Sequence, residues 1–121
     1  MSAPQSSSTA DSGMSLHVSV YIDPSNRTAF LEHFKPCFEA VRAEKECTFF
    51  EVFSDPDDEG HLSWVENWSK GKEWFMAEQI TKDYYKPYLA ATEPMFVKPR
   101  EAKFYERMER DWVFSKAENL K

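Results

Sequence analysis

Residues 16–22 alternate in polarity: Leu16, Val18, Val20 and Ile22 fall on one side, His17, Ser19 and Tyr21 on the other. That period of two predicts a half-buried strand. Asp23-Pro24 follows, a capping side chain and then a proline whose backbone is preset for a first helical turn. Beyond it Phe30, Phe34, Phe38 and Val41 recur at helical spacing, with Leu31 and Cys37 beside them. Pro36 lies inside this run and predicts a kink or a split. Residues 48–53 are β-branched and aromatic, a second strand, and the turn cluster 54–60 leads back as a hairpin into a third strand over 61–68. In that strand Leu62, Trp64, Glu66 and Trp68 share one face, and Asn67 points to the other. Residues 72–79 read as a helix, and a further helical piece over 83–91 is interrupted by Pro87. Glu93-Pro94 and Lys98-Pro99 bracket a loop, after which 102–108 alternates as a fourth strand.

The order β-α-β-β-α-β is that of a split βαβ unit, so the fold class is α+β, ferredoxin-like, with a four-stranded antiparallel sheet. Helices on one face leave the other uncovered, and a second copy of the chain is the expected cover, giving a homodimer. The domain is expected over 14–108, after a Ser-, Ala- and Pro-rich tail over 1–13 with nothing to bury. Residues 109–121 form a C-terminal tail, in which Trp112, Val113 and Phe114 suggest docking onto the body or onto a partner chain.

Composition narrows the partners. The chain has 121 residues and a formal charge of −6, without a basic stretch. One domain is the expectation, and nucleic acid is a poor partner, because phosphate affinity comes from clustered Lys and Arg. Ten Phe, five Tyr and four Trp can build a core in a small domain and also wall a cavity for a flat, apolar ligand. Cys37 and Cys47 make neither a disulfide framework nor a metal-binding spacing. No apolar run is long enough to span a bilayer, and the N-terminus lacks the features of a secretory signal, so a cytoplasmic protein is expected.

Three stretches carry a family resemblance. Ala43-Glu44-Lys45-Glu46-Cys47-Thr48-Phe49-Phe50 resembles the Ala-Glu-x-Gly-Cys that precedes an aromatic-bearing strand in the antibiotic biosynthesis monooxygenase (ABM) family. Asp55-Pro56-Asp57-Asp58, leading to Trp64-Val65-Glu66-Asn67-Trp68, is similar to that family's Asp-Pro hairpin and Glu-x-Trp strand end. Tyr84-Tyr85-Lys86-Pro87-Tyr88-Leu89-Ala90-Ala91 resembles the segment after its second helix. The resemblance spans about residues 15–108 and implies a dimeric α+β barrel with a cavity between sheet and helices. It also implies oxidation of a phenol, an anthrone or an oxylipin-like acid by molecular oxygen without flavin or metal. Two departures stand out: Glu46 replaces a glycine, and Glu78 stands where many members carry a histidine. In haem-degrading relatives that histidine holds the iron, so haem is not expected, and neither is any other cofactor.

The resemblance makes Trp68 a pocket residue whose indole N–H could donate to a developing oxyanion; the plainer reading is a core tryptophan. Glu66 lies among indoles, where desolvation would raise its pKa and suit it to acid–base work; a cross-sheet salt bridge is the equal alternative. Trp64, Phe50, Trp74, Tyr84 and Tyr85 are candidate walls for the substrate. Glu78 and His17 are candidate polar contacts, although Glu78 also reads as a solvated helix residue and His17 as a structural or interface histidine. His33 and His61 read as exposed. Three functions compete: a cofactor-independent monooxygenase acting on a small apolar or aromatic metabolite, a non-oxidative cyclase, isomerase or lyase, and a ligand-binding dimer without catalysis.

Overall fold

A computed structural model describes residues 13–116, so nearly all of the expected N-terminal tail lies outside the described residues. Strand β1 (Met14–Ile22) begins the domain. Asp23 then accepts from the backbone N–H and the hydroxyl of Ser25 at 2.9 and 2.7 Å, starting a short 3-10 turn that runs into helix α1 (Arg27–Arg42). Pro36 does not split α1: it faces solvent, and the sixteen-residue helix is held instead by Phe30, Phe34, Cys37 and Val41 on its buried stripe. Strands β2 (Cys47–Asp55) and β3 (Asp58–Trp68) form a hairpin. The sequence's broad turn cluster shrinks to Pro56 and Asp57, with Asp55 Oδ1 accepting from the Asp57 N–H at 2.9 Å.

Helix α2 (Lys72–Trp74) opens into a π-helical turn over Phe75–Gln79, closed by a bond from the Ile80 N–H to the Phe75 carbonyl at 2.9 Å. Helix α3 (Tyr85–Thr92) contains Pro87 without interruption, because its first turn has no use for the missing N–H. Strand β4 (Phe96–Glu106) starts earlier than its alternation suggests. Its Pro99 is tolerated because β4 is an edge strand whose register against β1 shifts around Tyr21.

All neighbouring strands are antiparallel in the order β2-β3-β1-β4, the α+β ferredoxin-like arrangement. The helices cover one face. Val20, Phe30 and Trp68 are completely buried there, among Leu16, Val18, Leu62 and Trp64. Phe30 packs at 5.6 Å from Phe34 and edge-on at 6.2 Å from Tyr88, tying α1 to α3.

The opposite face is uncovered. His17 lies on it, tilted against Tyr105 at 4.8 Å and bonded to the Ser15 hydroxyl at 3.0 Å. His61, expected to be exposed, is half-buried: Nδ1 meets Asp55 Oδ2 at 2.9 Å, Nε2 meets the Ser19 hydroxyl at 3.0 Å, and Tyr21 stacks on the ring at 4.5 Å. The sheet brings these together because residues 19 and 61, remote in sequence, lie two pairs from and within the same β1–β3 ladder. Trp112 and Phe114 do not dock on the domain, being 72% and 82% exposed.

Truncating Phe30 removes a side chain that links both helices and cannot be refilled by its rigid neighbours. Phe30→Ala is expected to lower unfolding stability by about 3–5 kcal/mol in urea titrations, whereas Leu31→Ala on the outer flank of α1 should cost under about 1 kcal/mol.

Candidate functional site: a carboxylate clamped by two indoles

Alternation along β3 places Trp64, Glu66 and Trp68 on the helix-covered face. Each indole is two residues from the glutamate, so the two rings flank it and can turn their N–H groups inward. Trp64 Nε1 donates to Glu66 Oε2 and Trp68 Nε1 to Glu66 Oε1, both at 3.0 Å. Cross-strand neighbours complete the floor: Leu16 of β1 and Phe50 of β2 sit directly opposite Glu66. Above it, Phe34 of α1 stacks on Trp64 at 4.6 Å, and Trp74 and Phe75 meet Trp68 at 5.9 and 5.5 Å.

Glu66 is therefore a buried carboxyl (7% exposed) with two neutral donors, and no Lys or Arg pairs with it among the described residues. The anticipated salt bridge is absent from that set. Burial pushes its pKa up to about 7, against the opposing pull of the Trp68 and Trp64 hydrogen bonds. A carboxyl poised there can hold or release a proton near neutrality. The Trp68 N–H, expected to face an oxyanion, is occupied by Glu66, so its role in this state is to hold the carboxylate.

The candidate walls divide. Phe50 lies beside the clamp and packs on Phe34 and Phe38. Tyr85 is buried within the electrostatic reach of Glu66, and Trp74 covers Trp68. Tyr84 turns away toward the surface, donating to Glu44 Oε2 at 2.7 Å. Two expected polar contacts fall outside: His17 is on the opposite face of the sheet, and Glu78 is exposed. Glu78 sits in the π-helical turn. Within it Gln79, completely buried and four residues after buried Phe75, takes the inward side, and Glu78 is left exposed. Nothing in the local sequence distinguishes Gln79 from any other polar residue of a predicted helix. Tyr88, which the sequence groups with Tyr84 and Tyr85 as a possible wall, is buried, and its hydroxyl has no hydrogen-bond partner among the described residues.

The larger surface recess, about 830 Å³, lies elsewhere, between Thr48, Ser69 and the C-terminal segment from Arg107 to Ser115. It contains no member of the clamp, and its wall is largely exposed tail, so the buried carboxylate is the better candidate site. No group of three or more His, Cys, Asp or Glu side chains converges to hold a metal ion among the described residues. The two thiols, Cys37 and Cys47, are pushed up by burial to about 12 and 11 and are inert as nucleophiles.

Fold and site together define a ferredoxin-like α+β domain with a buried carboxyl held among aromatic side chains. The sequence profile of the antibiotic biosynthesis monooxygenase family matches residues 14–77, and the chain belongs to that family. It is 39% identical over 95 residues to a protein of Pestalotiopsis microspora named as a candidate monooxygenase, GME11364, covering 78% of this chain and 79% of that one. A candidate antibiotic biosynthesis monooxygenase of Deinococcus radiodurans superposes with a TM-score of 0.71 at 16% identity, over 84% of this chain and 99% of that one. Rv0793 of Mycobacterium tuberculosis superposes with a TM-score of 0.69 at 16% identity, covering 80% and 96%. At such identities the structural matches establish the fold alone. No described helix is long and apolar enough to cross a membrane.

The raised pKa has a stability consequence of fixed sign. The carboxyl titrates at an ordinary 4.5 when unfolded and about 7 when folded, so the folded chain holds an extra proton between them. This contribution is full below the unfolded value and is lost as pH rises through the folded one, about 3 kcal/mol in all. Relative to Glu66→Gln, the wild type should lose that much unfolding stability between pH 4 and pH 8 in urea titrations. A difference that stays flat across that range would contradict the buried, proton-holding carboxyl.

Proposed function

We propose that the protein is a cofactor-independent monooxygenase that oxidises a small apolar or aromatic metabolite, with Glu66 as its acid–base group. The observation that carries this reading is the indole-clamped carboxyl, with a pKa near 7, packed among aromatic side chains of the sheet and helices. The family membership supports an oxidative reaction, and the aromatic lining supports a flat substrate such as a phenol, an anthrone or another polyketide-like ring.

The chemistry balances with oxygen as sole oxidant. Glu66, ionised, removes a proton from an activated CH₂ of the substrate, leaving a delocalised carbanion. That carbanion passes one electron to O₂, and the resulting radical pair combines into a C–O bond, giving a peroxide. A second proton leaves the same carbon as the O–O bond breaks, the carbonyl forms, and the departing oxygen leaves as water with the proton Glu66 returns. Substrate CH₂ and O₂ become C=O and H₂O; the four electrons come from the substrate. The protein's contributions are a dry compartment, a base and a proton donor in one carboxyl, and aromatic walls that hold the ring over it. Trp64 and Trp68 act as positioning residues, holding the carboxylate and lowering its pKa against burial.

The uncovered sheet face, with Phe53 43% and Tyr105 49% exposed beside His17 and Tyr21, supports a homodimer built through that face. Its test is sedimentation equilibrium: Phe53→Glu should convert a dimer to monomer, while a wild-type chain that is monomeric at micromolar concentration would rule the assembly out.

The decisive test of activity is oxygen uptake with an anthrone and no added flavin or metal. Uptake is expected, with one oxygen atom from ¹⁸O₂ in the product, and Glu66→Gln should reduce kcat by about 10²–10⁴-fold. Trp68→Phe removes a donor that lowers the Glu66 pKa, so the acidic limb of kcat/KM should move above its wild-type position near pH 7. Product formed without oxygen would shift the reading to a cyclase or isomerase using the same carboxyl.

A further inference from the structure

Gln79 and its neighbours form a hydrogen-bonding chain that ends in two vacancies. Lys82 pairs with Glu44 Oε2 at 2.8 Å, and the Tyr84 hydroxyl donates to the same oxygen at 2.7 Å. Since the Tyr84 proton goes to Glu44, its oxygen can only accept from Gln79, whose Nε2 lies 2.6 Å away. This fixes the orientation of the amide: a flipped Gln79 would set an acceptor against Tyr84 with no proton between them. The second proton on Nε2 goes to the Tyr85 hydroxyl at 2.9 Å. Gln79 Oε1 is thus left buried with no partner. The Tyr85 oxygen accepts from Gln79, and its own proton has no acceptor among the described residues.

The vacancies therefore comprise one acceptor and one donor, and they are neighbours, because Oε1 and Nε2 share a carbon and Nε2 touches Tyr85. They lie on the covered side of the sheet with the proposed acid–base group, since Tyr85 belongs to the same buried cluster as Trp64 and Trp68, whose indoles clamp Glu66. The π-helical turn is a second, independent pointer. An i→i+5 turn is rare and is found disproportionately at functional sites, and Gln79 lies within this one. A purely packing role would be met by an apolar side chain without an orphaned oxygen.

We infer that Gln79 and Tyr85 form a seat for a hydroxyl group of the ligand, which donates to Gln79 Oε1 and accepts from the Tyr85 O–H, making the pair specificity-determining for hydroxylated aromatic ligands. The inference rests on the reading that the Glu66 compartment is the ligand site. One hydroxyl satisfies both vacancies at once. An ether accepts without donating and leaves Oε1 orphaned, and a bare hydrocarbon leaves both groups unpaired. Sites built to pair a hydroxyl reject analogues lacking it far more strongly than a methylene is sensed. The Lys82–Glu44–Tyr84 end of the chain positions Gln79 from the surface.

The test is anaerobic isothermal titration of the full chain with naphthalen-1-ol, 1-methoxynaphthalene and naphthalene, so that binding is read without turnover. Wild type should bind the naphthol at least about tenfold more tightly than the ether, equivalent to about 1.4 kcal/mol, and naphthalene no better than the ether. Gln79→Leu and Tyr85→Phe should each reduce that preference to twofold or less; Tyr85→Phe keeps the test open if Gln79→Leu fails to fold. Glu66→Gln should retain the preference. The inference is overturned if the wild type binds none of the probes or shows no preference, the outcome expected if water alone fills the seat. It is also overturned if the preference survives both variants, or is lost only in Glu66→Gln, which would make the carboxyl the hydroxyl's partner. A protein that discriminates in this way but consumes no oxygen would refute the monooxygenase reading and leave the seat intact.

Discussion

The carboxyl of Glu66 is the constraint around which the helix-covered face is arranged. A buried acid with no cationic partner is costly, and here two indole N–H groups from its own strand compensate for part of the lost hydration. Those donors are available only while both tryptophans stay in place. Trp64 is held by Phe34 of α1, and Trp68 by Trp74 and Phe75 at the start of the π-helical turn. Helix packing and the protonation state of one carboxyl are thereby linked: loosening either helix would free an indole, and an unpaired carboxylate at that depth would not remain ionised near neutrality.

The two faces of the sheet carry different chemistry because a strand sends alternate side chains apart. The covered face is apolar with isolated, paired polar groups. The uncovered one holds a connected polar network in which Asp55, His61 and Ser19 are linked in line, and the Tyr21 hydroxyl donates to Glu101 at 2.8 Å while Lys98 lies 3.9 Å above its ring. The His61 hydrogen bond, with that of the Asp57 N–H, holds the Asp55 carboxyl below its ordinary range. His17 belongs to this face, and its separation from Glu66 by the thickness of the sheet removes it from the chemistry of the clamp. The network spans the register shifts beside the β2–β3 turn and around Tyr21 in the β1–β4 ladder.

Much of this was legible in one dimension. Alternation at Leu16–Ile22 and Leu62–Trp68 is a property of consecutive residues, so it located two central strands and put Trp64, Glu66 and Trp68 on one face. The helical stripe from Phe30 to Val41 likewise specified α1 and overrode its proline, because the buried anchors Phe30, Phe34, Cys37 and Val41 outweigh one lost N–H on the solvent side. Order of elements then left few topologies, and the antiparallel four-stranded sheet is the one that forms. The stretches that resemble the ABM family were equally readable, since motif and spacing are written along the chain.

What only the tertiary structure decided are relations between residues with no fixed sequence interval. The choice between a salt bridge and an indole clamp for Glu66 depended on which side chains fill the space above β3. Glu78 is exposed, in line with its reading as a solvated helix residue, while the burial of Gln79 is set by how this segment packs. His61 passed from an exposed turn residue to a half-buried link because β1 lies beside β3, bringing Ser19 into reach. Local pattern determines which face a side chain takes, because it follows from backbone geometry. Which partner that side chain meets, and hence its protonation and its vacancies for a ligand, is determined by packing between elements far apart in the chain.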